Sequence, residues 1–540
     1  MEAQRLKALW KAFWEHPARG HAWAQPASLI VNQTDDPTTL FTTAGMQQFV
    51  PYLMGKEHPL GKRIYNIQWC VRTTDIEEVG DVSHLTCFEM MGNWSLGDYF
   101  KKESIARSRE FLTGKEWLGL DPHYLAVSVF AGDADAPKDE ESAQLRKDRG
   151  VSPDRIAYLG KKNNRRWPAG ATGPCGPDTE IFFWIWPGEP PAVFDPDKDD
   201  AYWLEIWNNV FMAYYKDDQG NFVELQNKNV DTGMGFERLC LVMQCLSGSI
   251  QKPIREATIY DTDLFTQAMQ VLSGISWDHA QRVVADHLRT SLFLIAQGAI
   301  PSNEGRGYVL RRLIRRAFFQ AFLTWRGETL SMMQETIVPK LIKIFEALYQ
   351  TDFGKSTRML LLGEMEQFAG TIIGGERVLN EIMEQYRVTK SLPGTEVFKL
   401  YDTYGFPVEL TQEFAGIAGY QVDMPWFETA MEHAKDISRQ GSQQMFAKQF
   451  DLASLVEGMT PTEFVWYAQL EADGVHTLAD HTLTDDAGNQ RRILIFDKTP
   501  FYAQGGGQTW DKGYLELDSG ERVWITDVQK YAWVWLHFVW

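Results

Sequence analysis

The spacing of apolar residues divides the chain into three regions. Up to about residue 246, helix-like stretches such as residues 4–15 alternate with strand-like runs such as residues 203–215. From about 255 to 450 the spacing is helical, and from about 455 it changes to the period of two expected for strands. We therefore predict an α+β multidomain fold. Its parts are a mainly antiparallel sheet flanked by helices (1–246), a helical domain (247–452) and a small β-barrel-like domain (453–540).

Three other stretches carry expectations about exposure and local structure. Residues 26–50 alternate short strand-like runs with turns, and residues 131–166 are polar and highly charged, which predicts an exposed excursion. The last ten residues, 531–540, are apolar and aromatic. If exposed, they would form a docking or aggregation surface, so they favour a partner at this end or a continuation of the chain.

Composition narrows the possible functions. The 540 residues have 44% hydrophobic and 23% charged side chains, as in ordinary globular proteins, and no apolar run reaches the roughly 18 residues of a membrane span. The formal net charge of −19 excludes a general positive field for nucleic acid, so RNA binding would need a local basic patch. Five cysteines without CxxC spacing indicate a reducing, cytoplasmic location rather than a disulfide framework.

Residues 229–238 combine the clearest candidate binding groups. Their pattern predicts a polar strand end, a turn spaced by Gly233 and Gly235, and an amphipathic helix. The glycines would let a ligand approach the backbone between the carboxylate of Asp231 and the guanidinium of Arg238. This arrangement suits a zwitterionic or phosphorylated ligand. Taken alone, a plain strand-to-helix turn with a surface arginine is the simpler interpretation.

Three other segments supply possible partners for such a ligand. Arg72 at the end of one predicted strand and Phe88 on the next could hold phosphate and base, although an ordinary hairpin has the same pattern. Trp167 precedes a stiff loop rich in glycine and proline (170–180), which favours a pocket wall over a metal site. Asn208 lies in an apolar strand, so its amide meets either backbone or ligand.

A basic stripe follows in the helical region. Residues 303–316 contain five arginines and a single glutamate, and four of the arginines lie within about 140° of the helix circumference. The stripe could be a solvated face paired with carboxylates, but few carboxylates lie nearby in sequence, so we favour phosphate binding. The five arginines are Arg306, Arg311, Arg312, Arg315 and Arg316.

These segments, in this order and spacing, resemble the class II aminoacyl-tRNA synthetases and, among them, the alanine-specific family. Residues 36–46 resemble motif 1, residues 70–100 resemble motif 2, and residues 230–238 resemble motif 3. Further signatures lie at 167–180, 286–289, 302–316, 400–407 and 497–503. The resemblance covers nearly the whole chain and implies a class II antiparallel sheet in the catalytic domain.

The resemblance implies a two-step ligase reaction. Alanine and ATP would give alanyl-adenylate and pyrophosphate, with Mg²⁺ bridging the phosphates, and the alanyl group would then pass to the 3′ end of tRNA(Ala). Arg72 and Arg238 are the implied catalytic residues, on the α-phosphate and the outer phosphates, and Phe88 and Met90 are implied at the adenine. The residues implied for alanine are Trp167, Asn208, Val210, Asp231 and Gly233.

The resemblance also implies recognition of the G3:U70 pair in the tRNA acceptor stem. Asn303 and Asp402 match the family positions that contact this pair, and the arginines of the basic stripe would contact the RNA backbone. Two alternatives remain. One is a synthetase-like paralogue that adenylates a small amino acid for another acceptor, and the other is a non-catalytic RNA-binding homologue.

The sequence departs from the family pattern in three places. The loop after Arg72 lacks a Gly-Gly-Lys-His insertion that is common in the family and would supply a lysine contact to ATP. Asp178 stands where a cysteine is usual. The HxxxH and CxxxH motifs of the editing module do not occur, so we expect no zinc, no editing in cis and a monomer.

Overall fold

The chain forms two compact units in the computed structural model, Met1–Glu366 and Gln367–Trp540. The predicted division into three domains at 246 and 452 stays a prediction. The structure describes residues 1–31, 39–133, 137–160, 172–199, 202–217, 219–303, 305–404, 406–431, 455–456, 459–464, 474–484, 490–501, 513–516, 522–531 and 534–539.

The first unit is organised around a nine-stranded sheet. Its strands are β1 (Ala22–Trp23), β2 (Arg63–Val71), β3 (Cys87–Ser95), β4 (Leu125–Phe130), β5 (Ile156–Leu159), β6 (Gly173–Cys175), β7 (Asp178–Trp184), β8 (Trp203–Lys216) and β9 (Phe222–Gly235). The spatial order is β1-β2-β3-β9-β8-β7-β4-β5, and β6 pairs with β8. The outer pairs β1–β2 and β4–β5 are parallel, whereas the central strands are antiparallel. The predicted fold class is confirmed.

Helices cover this sheet and continue beyond it. They are α1 (Ala3–Glu15), α2 (Val50–Leu53), α3 (Lys101–Thr113), α4 (Glu140–Asp148), α5 (Pro196–Asp199), α6 (Phe236–Leu246), α7 (Thr266–Leu272), α8 (Asp278–Ala296), α9 (Gly305–Trp325), α10 (Thr329–Met332), α11 (Val338–Tyr349) and α12 (Gly354–Gln385). α12 continues into the second unit. Among the described residues, no helix is both long and apolar enough to cross a bilayer.

An aromatic cluster joins α1 to the sheet. Trp10 lies 5.2 Å from Phe111 of α3 and 5.5 Å from Trp207 of β8, measured between ring centroids. Phe13 lies 4.9 Å from the same Phe111 ring. These rings are fully buried and meet edge to face, an arrangement that stabilises aromatic pairs beyond the area they bury. The apolar stripe that predicts α1 is therefore the stripe that covers one face of the sheet.

The described residues of the second unit include the end of α12, two further named helices, a helical stretch at 424–431, two short parallel strand pairs and an antiparallel sheet. The helices are α13 (Gly394–Tyr404) and α14 (Val408–Ile417), and the parallel pairs are β10 (Ser391–Leu392) with β11 (Gln421–Val422) and β12 (Glu463–Phe464) with β15 (Lys498–Thr499). The sheet, in the order β13-β14-β18-β17-β16, comprises β13 (Thr477–Thr484), β14 (Gln490–Phe496), β16 (Tyr514–Glu516), β17 (Arg522–Tyr531) and β18 (Val534–Val539).

The apolar end of the chain forms the centre of that sheet. β18 pairs with β14 on one side and with β17 on the other. Leu536 and Phe538 pack with Ile493 on one face, and Trp535 packs with Leu494 on the other. The described residues 534–539 are therefore buried, so the exposure that a docking or aggregation surface would require is not found there. Their apolar composition is explained by burial on both faces and gives no sign of a partner.

Two stretches of the first unit also differ from the predictions. Where an exposed excursion is predicted over 131–166, the described residues form α4 and β5, and Ala143 and Arg146 of α4 are buried. Asp139 caps α4, because its side chain accepts the backbone N–H of Ser142. The apolar stripe of this short helix is weak, so the cap is its clearer sign in the sequence. In the described part of 26–50, where short strands are predicted, residues 47–49 form a 3₁₀ turn, and Ile30 and Phe41 form only an isolated antiparallel bridge.

We expect Trp10→Ala to lower the free energy of unfolding by about 3–5 kcal/mol, because it leaves a cavity beside Phe111 and Trp207. Urea denaturation followed by circular dichroism measures this change. Trp23→Ala is the matched control: its side chain is 40% exposed, so we expect a loss below about 1 kcal/mol. Equal losses in the two variants would contradict the assigned packing.

Candidate functional site

One face of the central sheet carries most of the candidate binding groups. Directly opposite residues on antiparallel strands point to the same face, and the register pairs Met90 with Gly235 and Asn208 with Gly233. Asp231 lies two residues before Gly233 in the same strand, so its side chain is on that face too. On this face, from β2 to β7, lie among others Cys70, Phe88, Met90, Gly92, Trp94, Asp231, Gly233, Gly235, Asn208, Val210, Asp178 and Glu180.

The predicted glycine turn within 229–238 is wrong. β9 continues through Gly235 and passes directly into α6 at Phe236. The local sequence resembles a turn, but pairing with β3 on one side and β8 on the other keeps the backbone extended. Asp231 therefore lies in the middle of the sheet, and Arg238 lies in the first turn of α6.

The glycines of this face make room for two large side chains. A Cβ on Gly92 would lie 2.1 Å from the ring of Trp94, and a Cβ on Gly233 would lie 2.8 Å from Met90 Sδ. Both distances are far below van der Waals contact, so the indole and the thioether occupy the space that larger residues would fill. The strand glycines thus serve a close approach of side chains across the sheet.

Asp231 is the negative group in the middle of this face. Its Oδ1 accepts the indole N–H of Trp94 at 2.6 Å. Burial raises the pKa of Asp231 to about 7, and the hydrogen bond from Trp94 opposes that shift. No cationic side chain of the described residues offsets its charge. Because the carboxylate is also partly accessible, it is suited to a cationic ligand group.

Arg72 and Phe88 form a positive and aromatic end of the face. The guanidinium carbon of Arg72 lies 5.2 Å from the centroid of the Phe88 ring, within cation–π range. Arg72 Nε also donates to Thr43 O at 3.3 Å. Along β3, Met90 and the residue opposite Asp231 are four positions apart, roughly 13 Å at 3.3 Å per residue. This distance leaves room for an aminoacyl group joined to a phosphate.

Arg238 lies beyond the same end of the face. β9 ends opposite Met90, and Arg238 follows three residues later in α6. Its Nη1 donates to Glu205 O at 3.0 Å and lies 3.4 Å from Glu205 Oε2. Its side chain remains 26% exposed, so the guanidinium can still meet a ligand. The two predicted catalytic arginines thus lie on the side of the face away from Asp231.

Asn208 uses one of its polar groups within the protein. Its Nδ2 donates to Asp178 Oδ2 at 2.6 Å, whereas its buried Oδ1 has no hydrogen-bond partner among the described residues. The sequence-based role placed Asn208 near the alanine carboxyl. An unsatisfied carbonyl oxygen instead suits a donor, and it faces the same side of the sheet as Asp231. Val210, which also shares this face, packs with Trp94 in a buried apolar cluster.

A carboxyl group that sequence reasoning missed lies beside Asn208. Glu180 is directly opposite Asn208, and its Oε2 accepts from Ser128 Oγ at 3.3 Å. Burial and the charges of Glu205 and Asp178 raise the pKa of Glu180 to about 10. The signal was available in sequence: Asp178 and Glu180 are two residues apart, so both face the same side of β7.

The basic stripe is paired with carboxylates that lie far away in sequence. Arg311 and Arg315 lie 3.3 and 2.7 Å from Glu364 Oε1. Arg316 lies 2.9 Å from Glu77 Oε2, and Arg312 also pairs with Glu77. The argument that the stripe lacks balancing carboxylates is therefore wrong, although RNA binding stays a prediction. Arg306 donates to the backbone oxygens of Leu40 and Val31.

The remaining predicted residues are only partly placed. Trp167 lies outside the described residues. Asn303 accepts a hydrogen bond from Arg311 in the first unit, whereas Asp402 belongs to α13, and the structure does not describe its side chain. Among the described residues, no group of three or more His, Cys, Asp or Glu side chains is arranged to hold a metal ion.

Comparison with known proteins defines the class. A model of the class II (A) tRNA synthetases matches residues 7–540. The Alanine–tRNA ligase of Treponema denticola is 44% identical over 450 residues, covering 79% of this chain and 72% of that protein. The enzyme of that name from Treponema pallidum is 41% identical, and the match covers 83% of this chain and 73% of that protein. The one from Listeria innocua is 36% identical, and the match covers 95% of this chain and 58% of that protein. The chain belongs to the alanine–tRNA ligase family, as the resemblance indicated.

We expect Gly92→Ala to lower the free energy of unfolding by about 1–3 kcal/mol, because the new methyl group would overlap the Trp94 ring. Gly363→Ala in α12 is the control. Nothing lies within 4 Å of that Cβ, and alanine is favoured over glycine in a helix by about 0.5–1 kcal/mol. Denaturant titration should show opposite signs for the two variants; a neutral Gly92→Ala would contradict the close packing.

Proposed function

We propose that this chain activates alanine with ATP to give alanyl-adenylate and pyrophosphate, and then transfers the alanyl group to the 3′ end of tRNA(Ala). The observation that carries this proposal is one sheet face with Asp231 in the middle and two arginines beyond one end. An aminoacyl-adenylate has an ammonium and a phosphate, and the face offers a group of opposite charge for each. The names of the curated relatives support the same reaction.

The phosphate end contains the proposed catalytic residues. Arg72 holds the α-phosphate and neutralises the charge that develops when the alanine carboxylate attacks it. Arg238 holds the outer phosphates, and the adenine lies along β3 near Phe88 and Met90. The attacking group belongs to the substrate, so the reaction requires no protein nucleophile. Positioning and electrostatic stabilisation then account for the rate.

The alanine end uses the carboxylate in mid-sheet. Asp231 receives the ammonium, and the unsatisfied Oδ1 of Asn208 is a second acceptor for it. Trp167 is proposed near the carboxyl group, and Val210 and Gly233 are proposed around the methyl group. Close packing around Gly233, where Met90 Sδ fills the space that a Cβ would take, would favour alanine over larger amino acids by steric exclusion.

Mg²⁺ is proposed as an ion bound to the ATP phosphates. Protein sites of this kind commonly use one or two carboxylates together with substrate phosphates. Glu180 and Glu205, close to Arg238, are candidates, because a bound cation would favour the ionised form of Glu180, whose pKa burial and the neighbouring carboxylates raise to about 10. The ion supplies charge neutralisation at the phosphates. No zinc is proposed.

For the tRNA, we propose that Asn303 and Asp402 contact the G3:U70 pair and that the basic stripe contacts the backbone. The arginines already have carboxylate partners, so RNA phosphates would have to replace Glu77 and Glu364. We therefore expect a weaker net gain from the stripe than five uncompensated arginines would give.

Location and assembly are also proposed. None of the five cysteines forms a disulfide bond, which supports the cytoplasm as the location. We propose a monomer, and light scattering of the purified chain tests it. The buried β18 removes the reason for proposing a partner at the apolar segment.

Alanine-dependent ATP–pyrophosphate exchange and tRNA charging together test the proposed function. We expect exchange with wild type, and Arg72→Ala should lower kcat/KM by on the order of 10²–10³-fold, because one transition-state contact is lost. Charging should require G3:U70 and fail with G3:C70. Exchange without such charging would support the paralogue with another acceptor. Absence of exchange would contradict adenylation altogether.

The KM for alanine should depend on pH through Asp231. The carboxylate binds the ammonium only when ionised, and its pKa is about 7 in the free protein. Alanine KM should therefore rise as pH falls below about 7, approaching tenfold per pH unit. Asp231→Asn should raise alanine KM and remove this dependence. A wild-type alanine KM that stays flat from pH 5.5 to 8 would contradict the assigned role.

A further inference from the structure

We propose that Glu237, Asp286 and Arg289 are positioning residues for ATP binding. Their buried side chains bind the backbone of β3 on both sides of Phe88. They do so at the edge of β3 along which β9 does not continue. This inference rests on the proposed adenylation site. It assigns a role to residues 286–289, which resemble a family signature but are not among the groups on the ligand face.

The start of β3 lacks a neighbouring strand on one side. β9 pairs with β3 only as far as Met90 opposite Gly235, because the chain then enters α6 at Phe236. Residues 86–89 therefore have β2 on one side and no described strand on the other. Buried backbone groups at such an edge need other hydrogen-bond partners.

Charged side chains of α6 and α8 supply those partners. Both carboxylate oxygens of Glu237 accept the Glu89 N–H, each at 3.2 Å. Arg289 Nη2 donates to the backbone oxygen of Cys87. These two contacts occur immediately before and immediately after Phe88. They replace the hydrogen bonds that β9 would have made had it continued.

A third contact holds Thr86, the last residue of the connection between β2 and β3. Asp286 Oδ1 accepts the Thr86 N–H at 3.0 Å, and Thr86 O in turn accepts the Arg72 N–H at 2.9 Å. Asp286 is itself oriented by His287, whose Nδ1 lies 2.9 Å from Asp286 Oδ2. The backbones of Arg72 and Phe88 are therefore both fixed by the same buried group of side chains.

The positioning side chains are themselves rigidly held. Arg289 is fully buried, its Nη1 donates to Tyr349 OH at 3.0 Å, and it lies 3.5 Å from Glu237 Oε1. Its guanidinium carbon lies 4.4 Å from the centroid of the Phe265 ring. Burying charges is costly unless they are paired and hydrogen-bonded, and Arg289 and Glu237 meet both conditions through their ion pair and the hydrogen bonds described above. Such a network allows little displacement of β3.

The consequence for ATP follows from the alternation of the strand. The Phe88 ring points to the ligand face, where the guanidinium of Arg72 lies 5.2 Å from it. A shift of the backbone at Cys87 or Glu89 would move this ring and change its distance from Arg72. The alanine groups, four or more positions along the strand, would remain in place. ATP binding should thus be affected selectively.

Alanine-dependent ATP–pyrophosphate exchange with Arg289→Lys tests this inference. We expect the KM for ATP to rise about tenfold or more, with the KM for alanine within about twofold of wild type. A merely structural role would lower the fraction of active enzyme and hence the apparent kcat, and would leave both KM values unchanged. Thr290→Val is the control, since Thr290 is a buried neighbour on α8 whose hydroxyl has no partner among the described residues. It should leave both KM values unchanged.

Glu237→Gln provides the second variant if Arg289→Lys does not fold. The amide keeps one acceptor for the Glu89 N–H and loses the charge that faces Arg289, so we expect a smaller rise in the KM for ATP. An unchanged KM for ATP in the folded variant, or equal rises in both KM values, would overturn the inference. Phe88→Ala separates the two proposals. If it raises the KM for ATP and the α6 and α8 variants do not, only the positioning role fails. If Phe88→Ala has no effect, the proposed ATP site fails.

Discussion

The antiparallel register of β3, β9 and β8 is the constraint on which the candidate site depends. It places Met90 beside Gly235, Asp231 beside Trp94 and Asn208 beside Gly233. A slip by one residue would move every one of these side chains to the opposite face. The aromatic cluster under that opposite face prevents such a slip, since Trp207 of β8 is fixed there by α1 and α3. Core packing and ligand geometry are therefore specified by the same register.

The charges on this face differ from one end to the other. The arginines beyond one end have partners that a ligand can join or replace, namely an aromatic ring for Arg72 and a carboxylate for Arg238. Among the described residues, Asp231 has only a neutral indole as its hydrogen-bond donor, so its charge is balanced when a cation arrives. The free protein thus contains an unfavourable buried carboxylate whose cost a bound ammonium offsets. Binding and stabilisation are linked at this residue.

Much of the fold and several residues of the candidate site can be predicted from the sequence, because they depend on patterns between residues that are close together in the chain. Periodicity predicts α1 and the change from mixed to helical to strand-like structure, and the resemblance to a family picks out Arg72, Asp231 and Arg238. Tertiary pairing overrode local signals where these failed. β9 stays extended through its glycines because two neighbouring strands hold it.

Partners that are distant in sequence could not be inferred in the same way. Glu77 and Glu364 neutralise the basic stripe although they lie 235 and 49 residues from arginines that they contact. The buried support of β3 by Glu237 and Arg289 depends on where β9 ends, and a one-dimensional pattern does not reveal that point. Glu180 was visible as a strand neighbour of Asp178, but its pKa is raised first by burial in the folded sheet and then by Glu205, which β8 brings close.

The most direct test of the central claim is a crystal structure with a non-hydrolysable sulfamoyl analogue of alanyl-adenylate. The account predicts the alanyl ammonium within about 3 Å of the Asp231 carboxylate, the sulfamoyl group against Arg72, and the adenine along β3 beside Phe88. An analogue bound in the reverse direction, or with its ammonium held by other carboxylates such as Glu180 and Glu205, would contradict it.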